Sequence, residues 1–290
     1  MTIKKGIILA GGTGSRLYPL TLATNKQLLP IYDKPTIYYP LTTLMLAGIE
    51  KIQIITTPKD LDSLKLLLGS GAQFGVEISY QIQENPNGLP EAFVLSEKFI
   101  DTDPVAMILG DNFFHGHGLS ETVLTAANLS NGAHIFVCQV DDPERYGIVE
   151  LDKNEQLISL EEKPLKPKSD LAVTGLYYFD GSVSERSKTL KPSVRGELEI
   201  VDLIKTYVAD GCVTVTQFGR GYVWFDTGTP QSLLDTSGYV ELIQNRQGSI
   251  IASPEEVALH MKLIDKSQFE KNVSSMPSSK YKEQLVRLIL

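Results

Sequence analysis

Short apolar runs alternate with amphipathic segments through the first half of this chain. Apolar strands that alternate with amphipathic helices are typical of a parallel sheet covered by helices on both faces. The predicted strands are residues 7–9, 51–56, 76–81, 105–109 and 134–140, and the predicted helices are residues 37–46, 61–68, 91–99 and 119–127. The pattern therefore predicts an α/β fold with a Rossmann-like, mostly parallel mixed sheet and helices on both faces.

From about residue 141 the pattern changes to strands of alternating polarity. The predicted strands here are residues 148–151, 157–161, 172–179, 213–218 and 222–225, and the predicted helices are residues 200–208 and 233–244, with short helices from residue 254. Gly175 interrupts one strand, which predicts a bulge or the close approach of a ligand. We expect a single domain, residues 1–290, with an α/β part over 1–140, a β-rich part over 141–230 and a helical part over 231–290.

Composition and charge narrow the classes of partner. The net charge of −8 argues against nucleic-acid binding, which usually requires a basic surface. No apolar run approaches 18 residues, the length of a membrane span. The apolar segment at the N-terminus is too short for a signal peptide and is interrupted by glycine, so we expect a cytoplasmic protein without a membrane partner. Cys138 and Cys212 lie in apolar or β-branched stretches, which favours buried free thiols over a disulfide or a metal site.

The opening segment G-I-I-L-A-G-G-T-G-S-R-L, followed by K-Q-L-L-P, has the character of a phosphate-binding loop. Glycines let successive backbone N–H groups converge on phosphate oxygens, and Arg16 and Lys26 add positive charge. It is neither a Walker loop nor a dinucleotide fingerprint, because Leu17 stands where the latter needs its third glycine. The alternative is a strand–helix turn without a ligand. The residues of this segment predicted to bind the nucleotide are Leu9, Gly11, Gly12, Thr13, Gly14 and Ser15.

Two aspartates each follow an apolar strand and stand next to a glycine. Asp111 ends V-A-M-I-L-G-D, and Asp226 ends Y-V-W-F-D before T-G. Ligands of open parallel sheets lie beyond the carboxyl ends of the strands, and two carboxylates suit Mg²⁺. The alternative for Asp111 is the cap of a following helix or turn. Whether the two aspartates meet is left open by their separation along the chain.

The pattern L-A-G-G-x-G-S-R-L-x-P-x-T, followed by K-x-L-L-P, closely resembles the signature of the sugar-phosphate nucleotidyltransferases. The resemblance implies transfer of a nucleotidyl group from a nucleoside triphosphate to a sugar 1-phosphate, with release of pyrophosphate. It implies that Asp111 and Asp226 hold the catalytic Mg²⁺. In that reaction we expect Lys26 and Lys163 to neutralise the reacting oxygens and Arg16 to stabilise the departing pyrophosphate.

The resemblance also assigns the base and the sugar. Gln83 and Gly88 match the family's pyrimidine contacts, although the segment departs from the commoner pattern at Glu84, Pro90 and Glu91. In the motif E-E-K-P, Glu162 would bind the sugar and Lys163 its phosphate. Arg195 would neutralise phosphate or form a structural salt bridge. The other residues expected at the sugar are Asn112, Gly147, Val173, Tyr177 and Trp224, and Asp111 is expected at the nucleotide as well as at the metal.

Within the family, the motifs G-D-N-x-F-x-G-H, V-T-G-L-Y-Y-F-D and W-x-D-T-G-T favour dTTP and glucose 1-phosphate as substrates. A uridylyl or other nucleotidyl transfer to a different hexose 1-phosphate stays open, as does a nucleotide-sugar-dependent glycosyltransferase. The resemblance further implies a homotetramer. It also suggests a regulatory nucleotide site near Gly116, Glu121 and Arg220.

Overall fold

The computed structural model describes residues 2–289. Its strands are β1 (Lys5–Ala10), β2 (Pro30–Ile31), β3 (Lys34–Pro35), β4 (Lys51–Thr56), β5 (Glu77–Ile82), β6 (Val105–Leu109), β7 (Asn112–Gly116), β8 (Ala133–Gln139), β9 (Gly147–Leu151), β10 (Leu157–Glu162), β11 (Leu171–Phe179), β12 (Val213–Phe218) and β13 (Tyr222–Asp226). Its helices are α1 (Tyr38–Leu46), α2 (Leu61–Leu68), α3 (Glu91–Leu95), α4 (Glu97–Ile100), α5 (Leu119–Ala126), α6 (Val183–Lys188), α7 (Ile200–Ala209), α8 (Pro230–Gln247), α9 (Pro254–His260), α10 (Lys266–Ser275) and α11 (Lys280–Val286).

The central sheet is mixed. Strands β6, β1, β4 and β5 pair in parallel, so their carboxyl ends meet at one edge. Strand β11 runs antiparallel to β6 and β8, and β12 pairs in parallel with β8 at the far side. The hairpin β9–β10 joins the start of β11. The predicted α/β fold with a mixed sheet is therefore confirmed.

Both faces of the sheet are covered, as the apolar runs predicted. Ile8 of β1 belongs to a hydrophobic cluster that also contains residues of α1, α5 and the C-terminal helices α9 and α10. Its neighbour Ile7 packs on the other face, with α3, α6 and α7. Successive side chains of a strand point to opposite faces, so a run without polar positions is buried on both sides.

Some elements differ from the predictions. The predicted helix over residues 91–99 divides at Ser96 into α3 and α4, and the short elements β2, β3, β7 and α6 were not predicted. The pairing of β11 with β8 shifts register between Val173 and Tyr177, which places the predicted bulge at Gly175. The thiols of Cys138 and Cys212 are free as predicted, but both residues are half-buried rather than buried. Within residues 2–289, no helix combines the length and apolar character that a membrane span requires.

One buried histidine on β8 makes a testable contribution to stability. The ring of His134 packs against Phe136, with 4.8 Å between centroids, and Nδ1 lies 2.7 Å from Oγ1 of Thr214. Burial lowers the pKa of His134 from its ordinary value of 6.5 to about 4. As the pH falls below 6.5, the unfolded chain takes up a proton at this site and the folded chain does not. The free energy of unfolding therefore falls between pH 6.5 and pH 4, by up to about 3 kcal/mol from this group.

We expect His134→Gln to flatten this part of the stability–pH profile. Urea unfolding at several pH values measures it, and His117→Gln, at an exposed histidine, is the matched control. A His134→Gln profile as steep as that of the wild type would contradict the expectation.

Candidate active site

A cleft of about 460 Å³ opens where β1 and β6 end, between the glycine-rich loop and the β9–β10 hairpin. Most of the residues predicted to bind substrate line it. They are Leu9, Gly12, Thr13, Gly14, Ser15, Arg16, Lys26, Asp111, Asn112, Gly147, Glu162, Lys163, Val173, Tyr177, Trp224 and Asp226. Gly11, Gln83 and Gly88 are not part of its lining. Gly11 lies against the side chain of Gln83, and Gly88 is pressed against the backbone of Leu198.

The glycine-rich loop follows β1 directly and holds Lys26 close to the backbone. Gly14 adopts a left-handed conformation, with φ of +62°, and starts a short 3₁₀ turn that carries Arg16. A Cβ at Gly12 would stand 3.3 Å from Nζ of Lys26, so glycine leaves room for the lysine there. A second 3₁₀ turn carries Lys26. The carbonyl oxygen of the Asn25 side chain caps this turn by accepting from the backbone N–H of Gln27 at 2.7 Å.

Pairing between β7 and β13 brings the two aspartates to one place. These short strands run antiparallel with Asn112 opposite Asp226, so the preceding Asp111 lies beside the end of β13. Thr227 reinforces the junction, because its backbone N–H and its hydroxyl donate to the carbonyl oxygen of Asp111 at 3.0 and 2.7 Å. The alternative in which Asp111 caps the next helix is not what the structure shows, because β7 follows it.

The two carboxylates differ in electrostatic environment. Burial opposes the charge of Asp111, but the Lys26 ammonium in direct contact with Oδ2 and hydrogen bonding hold the pKa of Asp111 below its ordinary value. Burial and the nearby charge of Asp111 raise the pKa of Asp226. Arg16 offsets this only in part, since Nη2 of Arg16 lies 3.8 Å from Oδ2 of Asp226. Asp111 therefore has a cation in direct contact, whereas the cation beside Asp226 is more distant.

This arrangement fits a divalent metal. Two carboxylates supply hard oxygen donors, and two protein ligands fill only part of the six positions that Mg²⁺ prefers. A metal held by Asp111 and Asp226 would thus keep positions for water and phosphate oxygens. Magnesium is usually bound in this way, through one or two carboxylates and the phosphates of a substrate.

At the other end of the cleft, Glu162 and Lys163 both face the same space. Adjacent residues of a regular strand point to opposite faces, but β10 ends at Glu162 and Lys163 has a φ of +44°. The carboxylate of Glu162 lies 3.6 Å from Nζ of Lys163 and 3.2 Å from Nη2 of Arg195. Burial raises the pKa of Glu162, and Arg195 also pairs with Glu199 at 2.6 Å. Arg195 therefore forms a salt bridge and stands beside the predicted sugar-phosphate residues.

The floor of the cleft is organised around Asn112. Its Oδ1 accepts from the backbone N–H of Gly175 at 3.1 Å and from Nε1 of Trp224 at 2.6 Å. A Cβ at Gly175 would stand 2.5 Å from the same oxygen, so the bulge requires glycine. Trp224 packs against Tyr146, with ring centroids 5.2 Å apart, and so forms a wall of the cleft.

Several cleft residues were not predicted as site residues. Arg145 lies two residues before the predicted Gly147, and its guanidinium pairs with Asp142 beside Tyr146. The others are Pro86, Leu89, Leu109, Tyr146, Thr174, Gly175, Glu197, Ile200, Val201 and Gly228. The apolar members come from α7, from the end of β6 and from loops. Their types are those of ordinary core residues, so the sequence carries no signal that would single them out.

The three residues suggested for regulation lie outside this cleft. Gly116 packs against Tyr222, Glu121 is exposed on α5, and Arg220 lies in the exposed turn between β12 and β13. The regulatory nucleotide site therefore stays a prediction.

Comparisons with known proteins agree with the geometry of the cleft. Residues 5–241 match the family described as "Nucleotidyl transferase". The glucose-1-phosphate thymidylyltransferase of Neisseria meningitidis is 50% identical over 285 residues, which cover 98% of this chain and 99% of that protein. A crystal structure of a putative glucose-1-phosphate thymidylyltransferase from Bacillus anthracis, in complex with a sucrose, superposes with a TM-score of 0.75 at 42% identity. The superposed part covers 81% of this chain and 94% of the Bacillus anthracis chain.

A UDP-glucose pyrophosphorylase complexed with UDP-glucose gives a TM-score of 0.73 at 26% identity, covering 83% of this chain and 99% of its own. The matched family spans the glycine-rich loop, both aspartates and the E-E-K-P segment. The resemblance noted in the sequence is therefore confirmed, and the chain belongs to the nucleotidyl transferase family.

Proposed function

We propose that this chain transfers a thymidylyl group from dTTP to glucose 1-phosphate, forming dTDP-glucose and pyrophosphate, with Mg²⁺ as the metal. The observation that carries the proposal is the 50% identity, over nearly the full length of both chains, to the thymidylyltransferase of Neisseria meningitidis. The cleft supports it, because cationic side chains stand at both ends of a buried pair of carboxylates.

The reaction requires neither a general base nor a covalent intermediate. A phosphomonoester has a second pKa near 6, so glucose 1-phosphate is largely a dianion at neutral pH and can attack directly. A phosphate oxygen of glucose 1-phosphate forms the new bond to the α-phosphorus of dTTP while the bond from that phosphorus to pyrophosphate breaks. No histidine or cysteine of residues 2–289 lines the cleft, which agrees with this route.

The chain's own contribution is to bring two polyanions together. The glycine-rich loop and Arg16 are suited to the β- and γ-phosphates, and Lys26 to the α-phosphate beside Asp111. Lys163 and Arg195 are suited to the sugar phosphate, with Glu162 available for sugar hydroxyls. Asp111 and Asp226 would hold Mg²⁺, which when bound would further neutralise the phosphate charge. The two anionic substrates repel each other in solution. Binding both in line for attack lowers the barrier, because the reacting atoms are already positioned.

A panel of substrates tests the proposal. Pyrophosphate release is measured with dTTP, UTP, dCTP and ATP against the 1-phosphates of glucose, galactose and mannose, in the presence of Mg²⁺. We expect the highest kcat/KM for dTTP with glucose 1-phosphate. UTP is the second candidate, because one methyl group gives only about 1–3 kcal/mol of discrimination in an apolar pocket. Release that is fastest with another sugar phosphate, or absent throughout, would contradict the proposal.

We also infer a homotetramer. Large apolar side chains are exposed on α8, where Leu234 and Leu242 are 66% and 55% exposed, which favours contacts between copies of the chain. Light scattering after gel filtration measures the mass, and a monomer at micromolar concentration would contradict this inference.

A further inference from the structure

The side chain of Gln83, just after β5, is held by a carboxylate that the mechanism above does not use. Gln83 is only 5% exposed, and its Nε2 donates to Oε2 of Glu91 at 2.6 Å. The other oxygen of Glu91 accepts from Nδ2 of Asn87 at 2.7 Å. Glu91 is the first residue of α3, and it is one of the positions where this chain departs from the commoner family pattern. One acidic side chain thus ties the glutamine to the loop that carries Gly88.

This contact determines which way the amide of Gln83 points. An ionised carboxylate can only accept hydrogen bonds, so the atom of Gln83 that faces it must be the nitrogen. The amide oxygen Oε1 then lies on the opposite side, next to Gly11 of the glycine-rich loop, 2.8 Å from where a Cβ would stand. No donor from residues 2–289 forms a hydrogen bond to this oxygen. The side chain therefore presents an unused acceptor at the end of the nucleotide loop.

An acceptor at this position discriminates between bases by their edge. Thymine and uracil carry an N3–H donor between two carbonyl groups, whereas N3 of cytosine is a lone-pair acceptor beside an amino group. A carbonyl oxygen fixed opposite N3 accepts from the N3–H of thymine or uracil and is repelled by the N3 lone pair of cytosine. A free amide can rotate and present either its oxygen or its nitrogen, so it accommodates both.

We propose that Glu91 is a positioning residue for base specificity: it locks Gln83 with its oxygen towards the base and so selects triphosphates with an imide edge over cytosine nucleotides. The proposal rests on the proposed function and on the expectation from the sequence that Gln83 contacts the pyrimidine. It assigns to Glu91 the choice between imide and cytosine edges, and it leaves the choice between dTTP and UTP to contacts with the methyl group.

The test compares specificity ratios in Glu91→Gln. A glutamine at position 91 can donate as well as accept, so the amide of Gln83 is no longer held in one orientation. We expect the ratio of kcat/KM for dTTP to that for dCTP, with glucose 1-phosphate, to fall by about tenfold or more. The ratio for dTTP to UTP should stay within about twofold. A general structural defect would lower kcat/KM for dTTP, dCTP and UTP together and leave both ratios unchanged.

Two further variants sharpen the test. Asn87→Ala removes the second hydrogen bond of Glu91 but keeps the contact with Gln83, so its dTTP to dCTP ratio should equal that of the wild type. The exchange Q83E/E91Q restores a donor facing a carboxylate, leaving an oxygen towards the base, and should recover most of the lost ratio. An unchanged dTTP to dCTP ratio in Glu91→Gln, or a ratio lowered equally in Asn87→Ala, would overturn the proposal.

Binding measurements separate this proposal from the proposed function. Calorimetric dissociation constants of dTTP and dCTP give the same ratio without turnover. A wild type that releases no pyrophosphate yet binds dTTP more tightly than dCTP, with the preference reduced in Glu91→Gln, would overturn the thymidylyl transfer and support the role of Glu91. If instead the wild type forms dTDP-glucose as proposed and the ratio of the dissociation constants is unchanged in Glu91→Gln, the thymidylyl transfer would be supported and the role of Glu91 overturned.

Discussion

Lys26→Ala is expected to lower kcat by about 10²–10³-fold, the effect of removing one preorganised charged contact from a reacting centre. Lys26 is suited to neutralise the α-phosphate because its ammonium lies in the cleft, in contact with Asp111, with 16% of the side chain exposed. Without this cation, burial would also raise the pKa of Asp111, so the carboxylate would become a poorer metal ligand near neutral pH.

Pyrophosphate release at saturating dTTP and glucose 1-phosphate measures the effect. Circular dichroism and thermal unfolding show whether the variant is folded, and Lys271→Ala, at an exposed lysine on α10, is the matched control. A folded Lys26→Ala protein whose kcat lies within about tenfold of the wild type would mean that Lys26 has no direct part in the reaction.

Asp226→Asn is expected to reduce turnover by a similar factor of about 10²–10³ without reducing the stability of the metal-free protein. The asparagine oxygen can still accept from the backbone N–H of Gly228, which lies 3.0 Å from Oδ1 of the aspartate. The substitution removes a charge that burial and Asp111 both disfavour, as the raised pKa of Asp226 indicates. Loss of activity with equal or higher stability is characteristic of a residue retained for function.

Magnesium titration distinguishes the metal role from other effects. A metal that binds only the folded state raises the melting temperature, so Mg²⁺ should stabilise the wild type and not Asp226→Asn. Asp235→Asn, at an exposed aspartate on α8, should behave as the wild type in both assays. If Mg²⁺ raised the melting temperature of Asp226→Asn as much as that of the wild type, Asp226 would not be a ligand.

The sheet could be predicted where the strands are apolar or rich in β-branched residues. β4, β6 and β12 match their predicted ranges, because β6 is apolar throughout and Ile, Val and Thr in β4 and β12 favour a strand. β7 could not be predicted in this way. Its segment N-F-F-H-G is short and follows directly on a turn, and it becomes a strand because β13 supplies the hydrogen-bonding partner. Ser96 likewise divides a segment whose composition is that of one helix.

In the candidate site, too, local features could be predicted from the sequence and contacts between distant segments could not. Glycines after a strand, with a nearby arginine and lysine, are local features, and the loop conformation follows from them. The meeting of Asp111 with Asp226 depends on the register of β7 against β13. The shared orientation of Glu162 and Lys163 depends on a left-handed residue after β10, and residue type alone does not predict that conformation for a lysine.

By itself, the sequence determined the class of fold, the phosphate loop, the strand-terminal aspartates and, by resemblance, the family. Each of these depends on residue types at short separations, where backbone freedom and hydrophobic periodicity act directly. The tertiary structure alone decided how these parts combine: which carboxylate is paired with Lys26, which apolar residues wall the cleft, and how Glu91 orients Gln83. Such contacts join residues that are distant in the chain or that depend on one rotamer, so they exist only once the sheet has assembled.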